Sequence, residues 1–130
     1  MITLSTLFLS ANLTFNLPPG LLESLCYVES KHQINAIHHH DGDDSSYGVC
    51  QIKYKTAQWL GFEGTRDQLM DPRINIYYAA KYLSHQRKRY KGSLQKAVIA
   101  YNMGHARFTE TAYSRRVFEK WRIASNDTAY

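Results

Sequence analysis

The chain has 130 residues, 44% of them hydrophobic, with 16 Lys/Arg against 11 Asp/Glu for a formal net charge of +5. That length suits one domain with a single core and excludes two, and no stretch is apolar over the span a bilayer-crossing helix needs. The charge is uneven: residues 1–80 hold five Lys/Arg and eight Asp/Glu, residues 81–130 eleven and three.

Met1–Leu13 opens the chain with apolar residues at a three-to-four spacing, Ile2, Leu4, Leu7, Phe8 and Ala11. A secretory leader starts with basic residues, and this segment has none, so it reads as the first helix of the domain, with a weak or truncated export signal as the alternative. Asn16-Leu-Pro-Pro-Gly20 interrupts it, and a proline suits the first turn of the next helix, predicted over Pro19–Lys31. The apolar face of that helix is Leu21, Leu22, Leu25, Cys26 and Val28, with Glu29 close to its end. A carboxylate against apolar neighbours has its charged form disfavoured, so its pKa rises and it can donate a proton near neutrality. The plainer alternative leaves the Glu29 carboxylate in water at the helix end, the ordinary place for a glutamate.

Residues 32–48 are polar, with His38-His39-His40 followed by Asp41-Gly-Asp-Asp-Ser-Ser46, and read as a long ordered loop. Imidazole and carboxylate are both metal ligands, but adjacent loop histidines point apart and nothing fixes a tetrahedral set, so no metal is expected. Tyr47-Gly-Val-Cys-Gln-Ile-Lys53 and Ala100-Tyr-Asn-Met-Gly104 mix polar groups and glycines into apolar stretches, as the walls of a cleft around Glu29 would. Gly48 and Gly104 mark tight turns or close approaches of backbone. Cys26 and Cys50 both flank that cleft. Two cysteines make no disulfide framework, and they read as buried thiols acting as small hydrophobes rather than as a bonded pair.

A short helix near Tyr54–Leu60 stops at Gly61, a common C-cap. Asp71-Pro72 is a strong helix start, and Ile74, Tyr77, Tyr78, Tyr82 and Leu83 give the apolar side of a helix reaching about Tyr90. Gly92-Ser93 caps another, with Leu94, Ala97, Val98 and Tyr101 on one face. A last amphipathic helix carries Tyr113, Val117, Phe118 and Trp121. No run alternates with period two, so the expected fold is all-α, with little or no β. The basic surface, densest at Arg87-Lys-Arg-Tyr-Lys91 and Arg115-Arg116, would attract nucleic acid, anionic membrane or anionic wall polymer alike.

Glu29-Ser30, the Tyr47–Lys53 segment, Thr56-Ala57 with Leu60-Gly61, Asp71-Pro72 with Asn75-Ile76, Tyr82-Leu83 and Ala100–Gly104 follow one another in a specific order. Together they resemble the lytic transglycosylase catalytic domain of the soluble (SLT) type, in the lysozyme-like superfamily. The family has a Gly-Leu-Met-Gln-like segment at Gly48–Gln51 and Ala-Tyr-Asn-Ala-Gly at residues 100–104, and the likeness covers about residues 15–122. It implies one lysozyme-like domain over residues 1–130 and a lyase of peptidoglycan, a bacteriolytic enzyme of the glycosidase kind. It also implies Glu29 as the sole catalytic carboxylate.

By the same resemblance Gln51 should hydrogen-bond sugar or acetamido groups. Tyr101 should bring its hydroxyl toward Glu29, and Asn102 should hold the cleft wall or bond to glycan, with Ser30 in support. Two positions depart from the family. Cys50 stands where methionine commonly faces the sugar, which would make that wall smaller, and the Tyr47 ring precedes Gly48 where a small residue is usual.

The resemblance further implies bacterial peptidoglycan strands as partner, with no cofactor, no nucleic acid, no stable membrane insertion and a monomeric state. It sets the work in the periplasm or cell wall. A phage lysis enzyme (an endolysin released through a membrane lesion or carried in the virion) is the expected setting, with a secreted bacterial enzyme as the alternative. The rival chemistries are a hydrolytic lysozyme using Asp43 or Asp44 as second carboxylate, and a nucleic-acid-binding or catalytically silent glycan-binding module. The basic charges are not laid out as a recognition helix, and there is no zinc-finger spacing.

Overall fold

The computed structural model describes residues 2–39 and 45–127. Helices dominate: α1 (Leu4–Phe15), α2 (Leu21–Ser30), α3 (Tyr54–Trp59), α4 (Arg66–Leu69), α5 (Pro72–Arg89), α6 (Leu94–Met103) and α7 (Ala112–Asp127). Three two-residue strands, β1 (Ile37–His38), β2 (Ser46–Tyr47) and β3 (Ile52–Lys53), make an antiparallel sheet in the order β1-β2-β3. With the main body helical, the fold is the expected lysozyme-like one. The strands went unseen because a two-residue strand cannot show a period-two pattern.

The helix ends follow local chemistry. Thr3 caps α1 by accepting from the Thr6 amide, and Asp71 caps α5 by accepting from the Arg73 amide with Pro72 in the first turn. Ser93 does the same for α6 through the Lys96 amide. α2 differs from expectation. Both prolines lie outside it, and Gly20, with φ at +85° and the Trp121 indole against it, takes the N-cap instead. No helix among the described residues is long and apolar enough to cross a membrane.

Among the described residues, two apolar clusters form. The main one joins α1, α2, α5, α6 and α7 through Phe8, Leu21, Leu22, Leu25, Leu83, Val98 and Val117, each at most 1% exposed. The smaller one gathers Ile52, Ala57, Leu60, Phe62 and Leu69 beside the sheet. α5 serves both, with Ile76, Ala79 and Leu83 in the first cluster and Ile74 and Tyr78 against the second. The catalytic-looking residues lie where these two bodies meet.

The two cysteines correct the sequence reading: Cys26 and Cys50 are bonded, with their Cα atoms 4.3 Å apart. The bond ties the middle of α2 to the loop 48–51, and closing a loop of 24 residues stabilises the fold by about 3 kcal/mol through the unfolded chain's lost freedom.

Candidate active site

Glu29 is the penultimate residue of α2, half-buried, in a cleft of about 480 Å³ whose walls come from the sheet, α3, α5 and the end of α6. Burial pushes its carboxyl up to about 7, against two smaller opposing effects, the Tyr113 hydrogen bond and the field of His38. Its place at the helix C-terminus, the negative end of the backbone dipoles, acts in the same direction as burial. The Tyr113 hydroxyl donates to Glu29 Oε2 at 2.7 Å. Burial and the neighbouring Glu29 hold the Tyr113 phenol well above its ordinary value, so it stays a donor. A carboxyl half protonated near neutrality and fixed in orientation can give a proton and take one back.

Tyr113 is the residue that motif matching passed over. It entered the sequence reading only as part of an amphipathic face. A signal was present in Thr111-Ala-Tyr-Ser114: the Ser114 amide donates to Thr111 Oγ1 at 3.1 Å and the Thr111 amide to Ser114 Oγ at 2.9 Å. This reciprocal cap fixes the first turn of α7, and the packing of α7 on α2 carries Tyr113 to Glu29.

Tyr101 lines the cleft with Glu29, and its hydroxyl donates to the Cys50 carbonyl at 2.7 Å. Burial and the nearby Glu29 raise the Tyr101 phenol well above its ordinary value, while the hydrogen bond to the carboxylate comes from Tyr113. Ser30 is buried: its hydroxyl donates to the Val49 carbonyl at 2.6 Å and accepts from the Gln33 amide at 3.1 Å.

Gln51 lines the cleft as well, with its side-chain amide bonded inside the protein. Its Nε2 donates to the carbonyls of Gly48 at 2.8 Å and Ala36 at 3.0 Å, so both amide hydrogens are used within the protein. Oε1 lies 2.5 Å from His38 Nδ1 and is the acceptor, which puts a hydrogen on Nδ1. Gln51 thus orients His38 in the cleft and holds its own backbone at φ +52°, a conformation few non-glycine residues adopt.

The segment around these residues is held from all sides by one more side chain. Asn75, fully buried on α5, accepts from the Cys50 amide at 2.8 Å. It donates to the carbonyls of Tyr47 at 2.8 Å and Leu69 at 2.9 Å. A Cβ on Gly48, where φ is +80°, would come within 2.4 Å of the Asn75 amide nitrogen, so only glycine fits. Gly104, by contrast, has open space and serves as the left-handed cap of α6.

The remaining candidates divide. Asn102 is exposed on the cleft wall beside Met103. Cys50 is fully buried in its disulfide and does not line the cleft, so it is not a smaller substitute for a sugar-facing methionine. The half-buried Tyr47 packs against the smaller cluster, away from the cleft lining. Asp43 and Asp44, with residues 40–42, lie outside the described residues. Among the described residues no group of three or more His, Cys, Asp or Glu is gathered as a metal site would require.

A helical body with a half-buried acid at the end of one helix and a small sheet across the cleft is the architecture of lysozyme-like glycan-cleaving domains. The chain belongs to the transglycosylase SLT domain family, whose model matches residues 6–124. It is similar to the X polypeptide of Escherichia coli strain K12, 31% identical over 105 residues that make up 79% of this chain and 61% of that protein. It is also similar to Protein IpgF of Shigella flexneri, 29% identical over 92 residues, 69% of this chain and 60% of that one. The chain spans about three fifths of the length of these curated relatives.

Proposed function

We propose that the protein is a peptidoglycan lytic transglycosylase that cuts the β-1,4 bond between N-acetylmuramic acid and N-acetylglucosamine, leaving 1,6-anhydromuramic ends. The observation that carries this reading is Glu29, a cleft carboxyl raised to about 7 and held by Tyr113. Protonated Glu29 gives its proton to the glycosidic oxygen as the bond from C1 breaks. The muramic C6 hydroxyl oxygen then bonds to C1, and the Glu29 carboxylate takes the hydroxyl proton, which restores the acid. The attacking oxygen is already tethered to the sugar, so proximity replaces the second carboxylate that ordinary glycosidases use.

The Tyr113 hydroxyl holds Glu29 in place through both transfers. The packed segment from Tyr47 to Lys53 fixes the opposite wall, and Asn102 offers a side-chain amide to the glycan. Peptidoglycan sets the place of action in the periplasm or cell wall. The Cys26–Cys50 bond supports that setting, because disulfides persist in oxidising compartments. Phage delivery and bacterial secretion both reach it, and the bacterial source of the matched relatives favours the second.

The test is to digest purified peptidoglycan and weigh the muropeptides. Anhydro ends, one water lighter than reducing ends, are expected with the unaltered chain and none with Glu29→Gln. Reducing ends would mean a hydrolase and bring Asp43 or Asp44 forward as a second carboxylate.

A further inference from the structure

Trp59, the last residue of α3, leaves 66% of its surface in water. An indole is large and mostly apolar, and this one is not folded back onto the core. Its ring meets the His85 ring at a steep angle, with centroids 4.8 Å apart and planes at 78°. It sits in a second depression of about 440 Å³ between α3 and α5. Thr56 and Tyr82 line both this depression and the catalytic cleft, so the two adjoin with those side chains between them.

Two cations border the outer part, Lys55 on α3 and Arg89 at the end of α5. The Arg89 guanidinium is anchored to the Gly104 carbonyl at 2.9 Å and to Gln86 Oε1 at 3.3 Å. Gly104 itself borders the cleft, so the cation is fixed relative to the glycan path.

We infer that the Trp59 groove is a distal glycan-binding site, in which the indole stacks on a sugar ring of the strand being cut. In this site Lys55 and Arg89 meet the carboxylates of its stem peptides. The inference rests on the proposed reading of the cleft and extends it. A β-1,4-linked N-acetylated pyranose shows one apolar face of C–H groups, which packs on an aromatic plane and gains weak C–H···π contacts there. The shared wall at Thr56 and Tyr82 commits the occupant to the same strand, beyond the sugars next to Glu29. The flanking cations suit the charge that peptidoglycan carries and naked chitin lacks. The groove would let the enzyme select long strands over fragments through binding, without touching the reacting bond.

The experiment uses the Glu29→Gln chain, which holds sugar without cutting it. The probes are β-1,4-linked N-acetylglucosamine oligomers of three and six units, measured by calorimetry. Trp59→Ala should weaken the hexasaccharide about tenfold and the trisaccharide less than about twofold, and Trp59→Phe should restore most of the loss. In the same chain, the Trp59 indole N–H resonance should move with the hexasaccharide, while that of Trp121, bonded to the Pro19 carbonyl, should stay. Lys55→Glu should weaken a peptide-bearing oligomer and spare the uncharged hexasaccharide.

Equal hexasaccharide affinity with and without Trp59 would overturn the assignment, as it must if the indole instead serves a protein partner. An equal loss for both oligomers, or no binding of either by the parent chain, would overturn it too. A chain that leaves peptidoglycan uncut, yet whose hexasaccharide affinity depends on Trp59, removes the proposed reaction and keeps the groove.

Discussion

The Glu29 carboxyl is protonated more readily in the folded protein than in the unfolded chain, and this has a cost that pH reveals. Its pKa rises from 4.5 to about 7 on folding, chiefly through burial. Below pH 4.5 both states carry the proton and nothing is lost. As pH climbs from 4.5 to 7 the unfolded chain ionises first, and stability falls by an amount that is full above pH 7. At 1.36 kcal/mol per unit the shift caps this at about 3 kcal/mol, less what solvent screens at a half-buried group. Glu29→Gln should therefore abolish cleavage yet raise the unfolding free energy at pH 8 by roughly 1–3 kcal/mol, with no gain at pH 4. Urea titrations at the two pH values check it, and an equal effect at both would refute the burial account.

Tyr113 acts on the same group in the opposite sense. Its hydroxyl favours the ionised carboxylate, so Tyr113→Phe should raise the Glu29 pKa. The alkaline limb of the pH–rate profile should then move to higher pH, with a lower maximal rate as Glu29 loses its anchor. A limb that stays in place would mean that the bond to Tyr113 has no part in setting the acid.

At the scale of elements, the segment from β2 to β3 shows what the sequence made legible and what it hid. The capped ends of α5 and α6 were readable, because Asp71-Pro72 and Ser93 act on amides within three residues. Glu29 was readable too, as a charge on an apolar helix. Gln51 was read as bonding sugar, Tyr101 as reaching toward Glu29 and Ser30 as supporting it. What went unread is that all three also hydrogen-bond the backbone of the irregular segment around Cys50. A polar side chain in an apolar stretch signals a buried polar need, but which partner meets it is decided by packing far along the chain.

The disulfide and the Tyr113 contact, 24 and 84 residues apart in sequence, were hidden for the same reason. Asn75 is the keystone of that loop. Asn75→Ala would orphan the Cys50 amide and the Tyr47 and Leu69 carbonyls, and should cost about 3–5 kcal/mol by urea denaturation. A loss under about 1 kcal/mol would show that water replaces those bonds. Reduction of the Cys26–Cys50 bond should lower stability by about 3 kcal/mol at unchanged helix content, and an unchanged urea midpoint in reductant would contradict the bond.

For the whole molecule, charge and cleft answer to different parts of the chain. The excess of Lys and Arg lies after residue 80, largely on solvent-facing positions such as Lys88, Lys91 and Lys96. Such a field steers the protein to an anionic wall without entering the chemistry. Cleavage of whole sacculi should fall as salt rises past 0.15 M, where screening acts within about 8 Å. Replacing Lys88, Lys91 and Lys96 together by Glu should flatten that dependence, and salt-independent rates in the unaltered chain would remove the steering role.

The account itself stands on one carboxyl that keeps its proton near neutrality because a helical body and a small sheet close around it. The most direct measurement is a carbon-13 NMR titration of the chain labelled at glutamate side chains, following the Glu29 carboxyl resonance assigned by its loss in Glu29→Gln. A midpoint near 7, moving upward in Tyr113→Phe, is the predicted result. A midpoint near 4.5, the value of a carboxyl in water, would contradict it.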